Sequence, residues 1–256
     1  MNYKAIIYYL SLFCFPISLI AFVHILYSSY FDYFLSINSY VTTLITSLII
    51  GLFFLFVGKK SEKRINFIEQ LLLIILVYLM ISSFIALPFY LSNYQVTFLN
   101  SLFEAISGIT GTGFSIFKNV KYLDPTLILW RSSSQWIGGL YFLFFLILIF
   151  SNKQFNYKMN ELTYSEDARI NSESNVKDLL LRIFILYSAI SLIIFLLLNI
   201  SEIRMFNSLN LSMSLVSTGG FIPTNSLDKI IISNPQKLIF IFSLLISMLN
   251  FFLILN

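Results

Sequence analysis

Long apolar runs, separated by short polar links, dominate the pattern of positions along the chain. A helix that spans a bilayer needs about 20 mostly apolar residues. The runs of that length predict spanning helices over residues 6–27, 40–57, 68–91, 125–150, 179–200 and 237–255. Two shorter and more polar segments, near residues 96–108 and 206–216, predict helices that do not span. The expected fold class is therefore all-α and integral to a membrane.

Composition supports this class and excludes several functions. Hydrophobic residues make up 58% of the chain and charged residues 11%, whereas soluble domains carry about 25% charged residues. The net charge of +4 comes from basic residues in short links, so we expect membrane lipid and no nucleic acid as a partner. One histidine and one cysteine cannot form a metal cluster or an intrachain disulfide. No nucleophile–base pair is visible, and an enzyme is not expected.

Two basic links predict the orientation of the chain. Lys59, Lys60, Lys63 and Arg64 follow the second predicted span, and further basic residues lie within residues 151–178. By the positive-inside rule both links face the cytoplasm. We therefore expect a multi-pass protein of the cytoplasmic (inner) membrane with both chain ends in the cytoplasm. Both short polar segments then enter from the outer face.

An internal repeat relates these two segments. Residues 101–114, SLFEAISGITGTGF, align without a gap with residues 208–221, SLNLSMSLVSTGGF. The offset is constant, 220 − 113 = 107. The identical pairs are Ser101/Ser208, Leu102/Leu209, Ser107/Ser214, Gly113/Gly220 and Phe114/Phe221. Each copy predicts a short helix that runs into a glycine-rich turn.

The turns are the candidate ion-binding residues, namely Thr110, Gly111, Thr112 and Gly113 in the first copy and Ser217, Thr218, Gly219 and Gly220 in the second. Irregular backbone inside a membrane is tolerated only where it is buried in protein or lines a water-filled cavity. Its carbonyl and hydroxyl oxygens can replace the hydration shell of a cation. The alternative is a tight interhelical turn or a contact between small residues. Two aligned copies on one side favour a selectivity filter.

Two charged residues lie near the first turn. Glu104, inside the first short helix, would either attract cations or hydrogen-bond groups behind the turn and hold it rigid, and we favour the second interpretation. Its counterpart is Leu211, so the charge is not a repeated ligand. Arg131 would steer ions or, as is more common for an arginine at a helix end, extend to the membrane surface.

The remaining candidates suit contacts between helices or packing behind the turns. Trp136 suits an interfacial belt or a contact within the helix bundle, and Gly138 and Gly139 allow a close helix approach. Phe114 and Phe221 each end a turn, and both are expected to pack behind it.

Three motifs, FEAISGITGTGF, LWRSSSQWIGG at residues 129–139 and SLVSTGGF, resemble the Trk/Ktr family of potassium-uptake membrane subunits. The resemblance covers nearly the whole chain. It implies two leading transmembrane helices (residues 1–60) and two potassium-channel-like helix–pore-loop–helix units (residues 61–152 and 153–256). It also makes Arg131, Trp136, Gly138 and Gly139 scaffold residues around the pore, with potassium as the bound ion and no other metal. Glu104, Phe114 and Phe221 complete the predicted pore scaffold.

The same resemblance implies potassium uptake across the cytoplasmic membrane, with a cytosolic nucleotide-binding regulatory subunit as a partner. The family surrounds one pore with four pore-loop units, whereas this chain contains two. A second transporter half or a second copy of the chain is therefore expected. The alternative function is a non-conducting N-terminal half of a split or decayed transporter. The first turn also departs from the family, which more often has a hydroxyl residue at the position of Gly111.

Overall fold

The computed structural model describes residues 2–33, 37–60, 65–150 and 173–248, and all regular structure in them is helical. Within these described residues, five helices are long and apolar enough to cross a membrane. They are α1 (Tyr3–Tyr30), α2 (Ile37–Gly58), α3 (Phe67–Tyr90), α5 (Pro125–Phe150) and α6 (Glu173–Ile200). The shorter helices are α4 (Phe98–Ile109), α7 (Met205–Val216) and α8 (Asn234–Ser247). Short 3-10 helices cover Val120–Tyr122 and Leu227–Lys229.

The predicted order of long and short helices is confirmed over the described residues. The first five predicted spans correspond to α1, α2, α3, α5 and α6, and the two polar segments correspond to α4 and α7. The sixth predicted span, residues 237–255, begins within α8 and continues beyond the described residues. Residues 61–64 and 151–172, which carry much of the predicted cytoplasmic charge, also lie outside them.

Glu69 joins the beginnings of α1 and α3. Its carboxylate accepts hydrogen bonds from the backbone N–H of Asn66 (2.8 Å) and from the backbone N–H of Asn2 (2.6 Å). An acidic residue in the first turn also suits the positive end of the α3 dipole. Since one carboxylate holds both helix starts, α1 and α3 begin at the same level of the bundle.

Helix α5 is the centre of the bundle and contacts α1, α3, α4, α6 and α7. The indole N–H of Trp130 donates to the carbonyl of Ile85 in α3 (3.0 Å). The hydroxyl of Tyr141 donates to the carbonyl of Phe13 in α1 (2.8 Å). Polar side chains inside an apolar bundle are stable only when they are hydrogen-bonded, so these bonds fix α5 against its neighbours.

Candidate functional site

The first turn (residues 110–113) ends α4 with a defined hydrogen-bond pattern. The N–H of Gly111 donates to the carbonyl of Gly108, and the N–H of Thr112 donates to the carbonyl of Ser107, both at 3.0 Å. This pair of bonds is the Schellman motif, in which the residue after the helix cap is left-handed. Gly111 has that conformation, with φ of +67°, and Gly113 follows with φ of +78°.

The second turn (residues 217–220) ends α7 in the same way. The N–H of Thr218 donates to the carbonyl of Leu215 (2.9 Å), and the N–H of Gly219 donates to the carbonyl of Ser214 (2.8 Å). Positive φ angles recur at the matching positions, +53° at Thr218 and +81° at Gly220. The sequence repeat is therefore a repeat of backbone conformation. Thr218 differs in being β-branched, and such residues are strained at positive φ.

The two turns lie against each other. A side chain at Gly113 would overlap the carbonyl of Gly219. A Cβ atom at Gly220 would lie 3.9 Å from Cα of Gly113, and one at Gly111 would lie 3.6 Å from the carbonyl oxygen of Ser217. The glycines thus allow two turns that are 107 residues apart to meet backbone to backbone.

The hydroxyl groups at the start of each turn bond back to the preceding helix. Thr110 donates to the carbonyl of Ile106 (2.7 Å), and Ser217 donates to the carbonyl of Met213 (2.8 Å). The Thr110 and Thr112 hydroxyl oxygens are 2.7 Å apart. Because the protons of Thr110 and Ser217 are directed at the helices, their oxygen lone pairs are left as acceptors.

Glu104 lies behind the first turn and is fully buried. Its carboxylate accepts hydrogen bonds from the hydroxyl of Ser115 (3.0 Å) and the N–H of Ile116 (2.9 Å), both in the segment that follows the turn. Nε of Arg131 lies 2.7 Å from the same carboxylate. These contacts favour the interpretation of Glu104 as a brace, because the carboxylate is already neutralised.

Arg131 does not extend to the membrane surface, and that prediction is wrong. Its side chain is only 2% exposed, because Glu104 neutralises it inside the bundle. Its guanidinium also donates to the hydroxyl of Ser115 (3.0 Å) and to the carbonyl of Ile222 (3.5 Å). The guanidinium carbon lies 4.3 Å from the ring centre of Phe221. Arg131 thus contacts the segments that follow both turns.

Gln135 is a site residue that sequence reasoning did not single out. It lies one helical turn after Arg131 on α5 and is completely buried. Its side-chain N–H donates to the carbonyl of Gly219 (2.5 Å), and its side-chain oxygen accepts from the N–H of Phe221 (3.1 Å). A polar run, SSSQ, within a predicted span was the available signal, because buried polar groups in a membrane need partners.

Gly138 and Gly139 bring α5 close to both copies of the repeat. A side chain at Gly138 would overlap the backbone of Ile109, the last residue of α4. A Cβ atom at Gly139 would lie 2.9 Å from Cβ of Ser217 in the second turn. The prediction of a close approach is confirmed, and the partners are the end of α4 and the second turn.

Trp136 belongs to a contact between α5 and α6. Its indole N–H donates to the hydroxyl of Ser191 (2.9 Å), and its carbonyl accepts from the hydroxyl of Tyr187 (2.9 Å). Of the two predicted environments, the structure has the contact within the bundle.

The two phenylalanines that end the turns differ in exposure. Phe221 is buried, with 2% of its surface exposed, and packs beneath Arg131 as expected. Phe114 is 70% exposed, so the prediction that it packs behind the turn is wrong for this chain. The physical reason is that Arg131 of α5 packs against the ring of Phe221, with its guanidinium carbon 4.3 Å from the ring centre, whereas no arginine packs on the ring of Phe114 among the described residues.

A family model described as the cation transport protein TrkH matches residues 12–256. The chain belongs to the TrkH family of cation transport proteins. A cation transporter of Methanocaldococcus jannaschii is 31% identical over 204 residues, which are 74% of this chain and 42% of that protein. The Trk system potassium uptake protein TrkI of Halomonas elongata is 39% identical over 72 residues, which are 28% of this chain and 15% of that protein.

The TrkH fold is shared with a solved structure. The potassium transporter TrkH from Vibrio parahaemolyticus superposes with a TM-score of 0.85 at 20% identity, over 99% of this chain and 51% of that one. The chain spans about half the length of the Methanocaldococcus jannaschii transporter and of the Vibrio parahaemolyticus TrkH chain.

Proposed function

We propose that the chain supplies two of the segments that surround a potassium-conducting pore in the cytoplasmic membrane. The observation that carries the proposal is the repeated turn, in which positive φ recurs at matching positions and the two copies touch at Gly113 and Gly219. Family membership supports transport of a cation, and relatives such as TrkI are named for potassium uptake.

The chemistry of the turns suits a weakly held cation. Conduction needs enough oxygen ligands to replace water and a site that the ion can leave again. The carbonyls of Thr110, Gly111, Thr112 and Gly113 accept no hydrogen bond from the residues that the structure describes. No carboxylate lies in either turn, and Glu104 is paired with Arg131. Potassium would therefore meet neutral oxygens.

A partner completes the pore in this proposal. Two adjacent turns cover one side of an ion, so at least two more are needed to surround it. The exposed Phe114 supports a further helix on that side of the first turn. A separately encoded transporter half fits the length of the relatives, and a second copy of the chain is the other candidate. A cytosolic nucleotide-binding subunit would regulate the assembly, as the family resemblance implies.

The second candidate function is a non-conducting half. The observation in its favour is that the chain spans about half the length of its matched relatives. Such a chain would fold and bind its other half without passing ions alone.

Uptake by cells that lack their own potassium transporters separates the two functions. We expect rubidium uptake when the chain is expressed with a partner half, or as a homodimer, and easier competition by sodium after Gly113→Ser or Gly220→Ser. If both variants are active and their selectivity is unchanged, the turns do not line the pore. Absence of uptake in every combination would leave the non-conducting half as the function.

The proposed orientation has a separate test. Cysteines that replace Lys60 and Lys158, in a Cys14→Ser background, should resist membrane-impermeant reagents added to intact cells, because both links are expected in the cytoplasm. The same cysteines should react after the membrane is permeabilised. Labelling of either cysteine in intact cells would contradict the proposed orientation.

A further inference from the structure

We infer that Gln135 is a positioning residue that sets the direction of the Gly220 carbonyl in the second turn. The inference rests on the proposed function, because that carbonyl is one of the proposed potassium ligands. One buried amide group holds two backbone groups at once, the carbonyl of Gly219 at 2.5 Å and the N–H of Phe221 at 3.1 Å.

The geometry of the peptide bond links Gln135 to Gly220. In a trans peptide the C=O and N–H groups point in opposite directions, and the structure contains no cis peptide among the described residues. The N–H of Phe221 shares a peptide unit with the carbonyl of Gly220. Because that N–H points to Gln135, the Gly220 carbonyl points away from α5.

The preceding peptide unit is fixed in the opposite sense. Gln135 binds the carbonyl of Gly219, so the N–H of Gly220 points away from α5. The Gly219 carbonyl is thus occupied by a protein donor, and the Ser217 carbonyl accepts from the Thr218 hydroxyl (2.7 Å), so the candidate ligands of this turn reduce to the carbonyls of Thr218 and Gly220. Two successive peptide units cannot rotate unless Gln135 releases them.

Gly219 and Thr218, which lie next to these contacts, are both consistent with a turn held by Gln135. A Cβ atom at Gly219 would lie 2.6 Å from the amide oxygen of Gln135, so only glycine leaves room for this contact. Thr218 has φ of +53°, a strained conformation for a β-branched residue. Such strain persists only where the surroundings determine the conformation, and Gln135 supplies two bonds that do so.

Amide hydrogen exchange tests the contact without any need for transport. In the detergent-solubilised full chain, Gln135→Leu removes both bonds at similar volume and should speed exchange at the Phe221 amide by about tenfold, which corresponds to about 1.4 kcal/mol. Gln236→Leu is the matched control. Gln236 binds the carbonyl of Ser201 and caps α8, without contact to the second turn. Unchanged exchange at residue 221 in Gln135→Leu would overturn the inference.

Ion competition tests the consequence for the turn. In a preparation in which the wild-type chain takes up rubidium, the Gln135→Leu variant should let sodium compete with rubidium about tenfold better. Gln135→Glu keeps the acceptor for Phe221 and loses the donor to Gly219, so its selectivity should lie between those of Gln135→Leu and the wild type. A merely structural role would lower the amount of active protein and leave the ratio of sodium to rubidium affinity unchanged. That result would also overturn the inference.

The two assays separate this inference from the proposed function. If the wild-type chain takes up no rubidium with any partner, the proposed function fails. Exchange at residue 221 then still decides whether Gln135 fixes the backbone.

Discussion

The two turns have the same backbone and different supports. The first is held by charged groups of its own unit, since Glu104 binds the segment that follows the turn and pairs with Arg131. The second has the apolar Leu211 at the position of Glu104 and is held by the neutral amide of Gln135. One backbone conformation is thus stabilised in two chemical ways, which frees the side chains behind each turn to differ.

The supports also differ in where they come from. Arg131 and Gln135 both lie on α5, so one helix braces the turn of its own unit and the turn of the next. Residues 238–245 of α8, the helix that follows the second turn, include no amide or guanidinium side chain. Through Arg131 and Gln135 the first unit therefore supports both turns.

The largest expected effect is loss of the ionic brace. Arg131→Ala should lower the free energy of unfolding by about 3–5 kcal/mol, because it leaves the carboxylate of Glu104 buried without its partner. Helix content followed by circular dichroism against increasing sodium dodecyl sulfate would measure this in the solubilised chain.

A double variant sharpens that result. Glu104→Leu with Arg131→Met gives the first turn the apolar residue that the second has at Leu211. It should recover most of the lost stability, since apolar replacements of buried ion pairs are often neutral. If the double variant is as unstable as Arg131→Ala, the first turn requires its charges and the comparison between the supports fails.

An intermediate effect should distinguish the paired glycines. Gly113→Ala and Gly220→Ala both place a side chain at positive φ, which costs about 1–2 kcal/mol. Gly113→Ala also overlaps the backbone of Gly219, and overpacking adds about 1–3 kcal/mol. Gly113→Ala should therefore be the more destabilising change in thermal unfolding. Equal losses would mean that the turns are not in contact.

The smallest effect concerns the left-handed position after each helix. Gly111→Thr gives the first turn the residue type that the second has at Thr218, and it should cost about 1 kcal/mol of unfolding free energy. Thr218→Gly should change stability by less than about 1 kcal/mol, because relief of strain is offset by the greater freedom of glycine when unfolded. Denaturant titration of both variants checks the signs. A stabilising Gly111→Thr would contradict the assignment of strain.

The sequence predicts where the turns lie because their signal is local and repeated. Apolar run lengths place α3 at residues 68–91, against Phe67–Tyr90 in the structure. The alignment at an offset of 107 residues places both turns after short helices, and the same hydrogen bonds recur in each. These features depend on the order of residues within each continuous segment, so pattern and spacing are sufficient.

The supports could not be predicted, because they depend on contacts between distant segments. Arg131 lies 27 residues from Glu104, and Gln135 lies 84 residues from Gly219. A general rule for arginines at helix ends takes no account of a buried partner such as Glu104. The repeat likewise suggests one environment for Phe114 and Phe221, yet Phe221 is buried against Arg131 of the first unit and Phe114 is 70% exposed.

The position of Gln135 on α5 has a consequence for how the protein is made. Proteins are synthesised from the N-terminus, and early segments begin to fold first. Helix α5 precedes α7 along the chain, so the amide that holds the second turn is synthesised before Gly219 and Phe221. The helix that supports the strained turn at Thr218 is therefore available when that turn is made, and the order of the two units along the chain suits the order in which they are needed.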